Sequence, residues 1–197
     1  MKKVKKNKNI AIFCGSKLGN NNIYKKEISV MAKMLSDNGF NIIYGGGKIG
    51  LMGIIYKIYT KLNCKIIGII PKFLNKPEIR QQNTKTLQVV NSLHQRKILM
   101  IKKADFFIIL PGGFGTLDEL FEAITLIQTT KIEKFPIILV GSTFWSGLID
   151  WIKETLMKNN KTVSNDDMCI FHIVDEKEEV IKILEDFHND YGLSPNF

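Results

Sequence analysis

Short, continuous apolar runs alternate along the chain with longer stretches in which apolar residues recur at helical spacing. Residues 10–14, 41–44, 65–70, 106–110, 136–140 and 170–174 read as strands buried on both faces, and 86–90 as a further short strand. Residues 23–38, 51–62, 92–103, 144–158 and 176–190 read as helices, as does the stretch in which Leu117, Leu120, Phe121 and Ile124 share a face. Gly39 stands where the first helix should stop, and Ser92 with Gln95 forms a capping box at the start of another. This alternation predicts an α/β architecture, a Rossmann-like doubly wound parallel sheet with helices on both faces. Such sheets bind ligands beyond the carboxyl ends of their strands. Three glycine-bearing loops fall there, after Cys14, at Gly45-Gly46-Gly47 and at Pro111-Gly112-Gly113. The irregular residues 71–85, with Pro71 and Pro77, are predicted to edge the same crevice.

The length of 197 residues fits one domain, read as residues 10–190 between a basic tail (1–9) and a short C-terminal tail (191–197). The net charge of +9 owes much to Lys2, Lys3, Lys5, Lys6 and Lys8. No aromatic residue interleaves with these lysines, so the tail reads as a solvated terminus and no nucleic-acid partner is expected. No apolar run is long enough to span a bilayer, and the one after the tail is too short for a signal-peptide core, so a cytoplasmic protein without membrane partners is expected. Cys14, Cys64 and Cys169 lie far apart with no C-x-x-C spacing, which predicts neither disulfides nor a zinc knuckle. Cys14 and Cys169 read as buried members of strands. His94, His172 and His188 have no metal-binding spacing either.

The residues 106–119 carry the most chemistry. An apolar strand ends in Pro111-Gly112-Gly113-Phe114-Gly115-Thr116-Leu117-Asp118-Glu119 and opens a helix. A glycine turn at a helix N-terminus exposes backbone N–H groups to a ligand, and the dipole there favours an anion. Glu119 adds a carboxylate one turn on. It also completes a T-x-x-E capping box with Thr116, so it reads either as a reactive acid or as a helix cap. Glu122 is a second candidate for the reactive acid, or a surface charge. Arg96 and Lys97 sit near the positive end of another helix, where cations are disfavoured unless they meet an anion. Gly45 to Gly50 matches G-x-G-x-x-G, but no acid ends the following strand, so a wall of the crevice is a better reading than a dinucleotide site. No G-x-x-x-x-G-K-[ST] is present.

The stretch Pro111 to Glu119, the upstream His94-Gln95-Arg96-Lys97, the opening Cys14-Gly15-Ser16 and the segment from Tyr44-Gly45-Gly46-Gly47 to Gly50-Leu51-Met52-Gly53 together resemble the Lonely Guy family, also labelled "possible lysine decarboxylase". The resemblance runs over residues 10–152. It implies a phosphoribohydrolase that cleaves the N-glycosidic bond of a nucleoside 5′-monophosphate, an N6-substituted adenosine or AMP-like nucleotide, into free base and ribose 5-phosphate. It also implies no cofactor and a homodimer. It carries a catalytic pair onto Arg96 and Glu119, and substrate contacts onto Glu78, Lys97, Gly112, Gly113, Phe114, Gly115, Thr116 and Thr125.

In this reading the 5′-phosphate sits on the N–H groups of Gly113, Gly115 and Thr116, and Glu119 assists scission of a cation-like sugar. A non-catalytic nucleotide-binding or sensor module, and transfer of the base to an acceptor other than water, are the alternatives. True lysine decarboxylation needs a Schiff-base lysine and a partner for the cofactor's ring nitrogen, and the sequence singles out neither.

Overall fold

The computed structural model describes residues 8–19 and 22–191. The expected basic tail therefore falls mostly on residues 1–7, outside the described residues, and the expected C-terminal tail on 192–197, outside them likewise. Lys8 and Asn9 belong to the folded body. Lys8 Nζ pairs with Asp105 at 2.8 Å, and the Asn9 amide donates to the same carboxylate at 2.8 Å.

Seven strands form one sheet: β1 (Asn9–Phe13), β2 (Asn41–Tyr44), β3 (Ile66–Pro71), β4 (Leu87–Val90), β5 (Phe106–Ile109), β6 (Ile137–Val140) and β7 (Phe171–Val174). The order is β4-β3-β2-β1-β5-β6-β7, and every pairing is parallel. The strands are rich in isoleucine and phenylalanine, which fit a pleated surface covered on both sides. Alternate residues feed two cores. Ile10 and Ile12 pack with the helices α1 (Asn22–Asp37), α2 (Gly50–Lys61) and α7 (Lys177–Tyr191). Ala11 and Phe13 pack with α3 (Leu93–Lys103), α4 (Phe114–Gln128) and α5 (Ser142–Trp151).

Strand order reverses between β1 and β5, and such a switch point leaves a crevice at the carboxyl ends of the two strands. The loops that leave them are joined: the Gly15 amide donates to the Pro111 carbonyl at 3.1 Å, and the Leu110 amide to the Phe13 carbonyl at 2.9 Å.

Two expectations need correction. The helix expected over 144–158 is α5 up to Trp151 and continues in wider π-type turns over Ile152–Asn159. Cys169 is exposed rather than buried in a strand: it ends the short helix α6 (Asn165–Met168), where its thiol donates to the Asn165 carbonyl, and β7 starts two residues later.

Candidate active site

The glycine turn after β5 is built as the sequence suggests. Gly113 is the N-cap of α4 in an extended conformation, and its carbonyl accepts from the Thr116 and Leu117 amides at 2.9 and 3.1 Å. The amides of Phe114 and Gly115, the first two helical residues, then have no carbonyl within the helix to reach. A Cβ on Gly113 or Gly115 would stand in open space, whereas one on Gly112 would lie 2.1 Å from Thr116 Oγ1. Thr116 is thus packed inside the turn, 3 % exposed, with its amide engaged. Of the three amides expected to hold an anion, that of Thr116 is turned inward. The Gly113, Phe114 and Gly115 amides, with no backbone partner among the described residues, are the open donors.

Glu119 lies under this turn, only 6 % exposed. Gly113, not Thr116, caps the helix, so Glu119 sits in the second turn and the capping-box reading does not hold. Its carboxylate accepts from the Arg96 guanidinium in an ion pair. Arg96 reaches it from the first turn of α3. The start of that helix is fixed by the Ser92 hydroxyl, which accepts from the Gln95 amide at 3.1 Å. The Gln95 side chain does not return to Ser92 to close the box; it accepts from the Asn91 amide at 2.9 Å. Burial pushes the Glu119 carboxyl above its ordinary value of 4.5, and Arg96 pulls against that shift. Burial also pushes the neighbouring Cys14 thiol far up, with the Glu119 charge adding to it, so Cys14 is inert as a nucleophile. Arg96 Nε has no hydrogen-bond partner among the described residues.

The second glycine loop forms a wall of the same crevice. A Cβ at Gly45 would crowd Met52 Sδ at 2.9 Å and touch Arg96 Nη1 at 3.6 Å, so this loop packs directly against both side chains. The irregular 71–86 segment holds the loop from outside. The Lys48 amide donates to the Ile79 carbonyl at 2.8 Å, and the Gln81 amide to the Gly46 carbonyl at 2.8 Å. Gln81 is fully buried; its side chain accepts from the Tyr44 hydroxyl at 2.7 Å and donates to the Asn83 carbonyl and Thr86 Oγ1. Sequence reasoning missed Gln81, because one amide in an irregular stretch breaks no pattern.

These loops enclose a cavity of about 540 Å³. Arg96, Glu119 and the turn from Pro111 to Thr116 line it, with Gly15, Ser16, Gly45 and the apolar Leu18, Leu74 and Phe144. Three of the expected contacts do not line it. Lys97 is held on the outer face of α4, its Nζ 2.8 Å from Asp118 and 2.6 Å from Glu122. Burial alone would lower its pKa, but hydrogen bonds to both carboxylates raise it. Glu122, engaged with Lys97 and 3.9 Å from His94, is part of this ionic cluster and not the acid of the cavity. Thr125 is exposed and its hydroxyl donates back to the Phe121 carbonyl at 2.7 Å; Glu78 is exposed in a turn. Among the described residues no group of His, Cys, Asp and Glu is placed to hold a metal ion, and no helix is long and apolar enough to cross a membrane.

Residues 52–184 match the family model described as possible lysine decarboxylase. A cytokinin riboside 5′-monophosphate phosphoribohydrolase of Arabidopsis thaliana is 35 % identical over 180 residues, covering 91 % of this chain and 84 % of the relative. A probable enzyme of the same name from Oryza sativa subsp. japonica is 38 % identical over 149 residues, 76 % and 71 % of the two chains. The molybdenum cofactor carrier protein of Chlamydomonas reinhardtii shares the fold with a TM-score of 0.69 at 14 % identity, over 94 % of this chain and 100 % of that one.

Proposed function

The chain belongs to the possible lysine decarboxylase family, and from that membership and the geometry of the crevice we propose that it hydrolyses the N-glycosidic bond of a purine nucleoside 5′-monophosphate. The substrate is an adenosine monophosphate, plain or N6-substituted as in a cytokinin riboside 5′-monophosphate. The observation that carries this reading is the buried Glu119–Arg96 pair at the floor of a cavity whose rim is an open glycine turn.

The 5′-phosphate rests on the Phe114 and Gly115 amides at the positive end of α4, with Gly112 and Gly113 allowing close approach and Thr116 bracing the turn from inside. The remote phosphate contact fixes the sugar over Glu119. A water oxygen bonds to the anomeric carbon as the glycosidic bond breaks. Its electron pair leaves on the base, a base nitrogen takes up a proton, and ribose 5-phosphate keeps the new hydroxyl. Glu119, ionised, offsets the charge that develops on the sugar and holds the water or the ribose hydroxyls. Arg96 keeps Glu119 in place and in its charged form. Lys97, Glu78 and Thr125 enter this reading as outer contacts carried by the family resemblance.

Lys97, next to Arg96 in sequence, is unsuited to decarboxylation chemistry. Two carboxylates hold it protonated, the opposite of what an imine-forming amine needs. Free Cys14, Cys64 and Cys169 suit a reducing compartment and support a cytoplasmic location. Phe114, 92 % exposed, with Leu93, Ile98 and Phe121 gives α3 and α4 apolar surface that supports a homodimer, to be checked by light scattering. The reading is tested by incubating the purified chain with AMP and an N6-substituted AMP and following base and ribose 5-phosphate by chromatography. Stoichiometric release of both supports it, and binding without release overturns it.

A further inference from the structure

The cavity has two chemically different ends. Its floor holds the Arg96–Glu119 pair, and its mouth is lined by apolar side chains that include Leu18, Tyr24 and Phe144. Tyr24 and Phe144 are each the third residue of a helix, α1 on one face of the sheet and α5 on the other. They meet edge to face, with ring centroids 6.2 Å apart and planes at 89°. Phe144 is braced from below by Trp145, at 4.9 Å and 83°, a buried indole whose N–H donates to the Val140 carbonyl at 3.1 Å. Yet Phe144 stays 38 % exposed. A ring held rigid but left uncovered on a cavity wall presents a π-face at little ordering cost.

We propose that Tyr24 and Phe144 form the seat of the base and set its specificity, stacking a purine in preference to a pyrimidine. The inference rests on the reading of the cavity as a nucleotide site. The glycine turn grips phosphate and is blind to the base, so discrimination must come from the far end of the ligand. Stacking tolerates substitution at the edge of the ring and rewards a larger ring face. The pair therefore accepts adenine and N6-substituted adenine alike and disfavours cytosine.

The test compares ligands with and without a base. Protein carrying Glu119→Gln, so that nucleotide persists, is titrated calorimetrically with AMP, CMP and ribose 5-phosphate, alone and with Phe144→Ala, Tyr24→Ala or Phe144→Trp added. Melting curves certify each fold, with Phe144→Leu standing in if the alanine variant melts early. Phe144→Ala should weaken AMP about tenfold, leave ribose 5-phosphate within about twofold and shrink the preference for AMP over CMP, while Phe144→Trp keeps it. Equal weakening of AMP and ribose 5-phosphate, or of neither, overturns the proposal. Failure of the wild-type chain to release base from AMP would instead overturn the catalytic reading and leave this binding comparison decisive on its own.

Discussion

The Glu119 carboxylate, in the second turn of α4, accepts a hydrogen bond from the guanidinium of Arg96, in the first turn of α3, across 23 residues of sequence. Neither helix needs this pair for its own start: Ser92 caps one and Gly113 the other. A buried ion pair that serves no cap is costly to desolvate, and is weak evidence of a stabilising role. Its place under an open glycine turn makes chemistry its better explanation.

The first prediction separates those roles. Glu119→Gln keeps the shape and removes the charge, and should lower kcat by roughly 10²–10⁴-fold. Arg96→Gln should act in the same direction. Circular dichroism and a melting curve should show both variants folded. Retained turnover with a large fall in Tm would return the pair to a structural role.

A pH dependence follows from the environment of Glu119. Burial raises its pKa above 4.5 and Arg96 lowers it in opposition. The proposed mechanism uses the ionised form, so turnover should fall as pH drops through the raised value. The acid limb of the kcat profile then lies above the range of an exposed glutamate. Arg96→Gln removes the opposing pull and should move that limb to higher pH. Stability runs the other way. The native state binds the Glu119 proton more readily than the unfolded chain, so this residue favours folding most below 4.5 and that contribution is lost as pH rises through the raised folded value. An acid limb unmoved by Arg96→Gln would show that another group titrates.

The glycine turn predicts dependence on the phosphate. AMP should be cleaved at least about 10²-fold faster than adenosine at equal low concentration, because the phosphate contact orients the sugar before the bond breaks. Inorganic phosphate should inhibit competitively. Equal rates for AMP and adenosine would remove the turn from the mechanism.

Two adjacent glycines should respond differently to the same change. A methyl at Gly112 would collide with Thr116 Oγ1, so Gly112→Ala should displace the turn and lower Tm by several degrees. A methyl at Gly113 meets nothing within 4 Å and its φ of −98° suits alanine. Gly113→Ala should keep its Tm and raise KM for AMP, because the methyl intrudes where the phosphate approaches. Thermal melts beside initial rates decide between the two effects.

Gly50 offers a comparison away from the catalytic pair. Its φ is +62°, and a Cβ there would come within 2.3 Å of the Ser16 carbonyl group. Gly50→Ala should destabilise the chain by about 1–3 kcal/mol, read as a lower midpoint in denaturant, through strain at a left-handed position and the steric clash.

By itself the sequence determined the sheet and the anion turn, because both rest on local rules. Continuous isoleucine and phenylalanine runs such as residues 106–109 can only be buried on two faces, and a strand that breaks at Pro111-Gly112-Gly113 before a helix leaves amides open. Family motifs added Arg96 and Glu119 as a pair. Only the tertiary structure decided which partners these side chains meet. Local spacing allowed Glu119 to cap its own helix, and packing of α3 against β1, β2 and β3 brought it Arg96 instead. Lys97, next to Arg96 in sequence, points round the helix to Asp118 and Glu122, because neighbours on a helix are about 100° apart. Gln81, Tyr24 and Phe144 carried no signal at all, since each acquires its partner from an element distant in sequence or on the other face of the sheet. Short-range periodicity records what a segment buries; which distant side chain it faces is settled when the layers close.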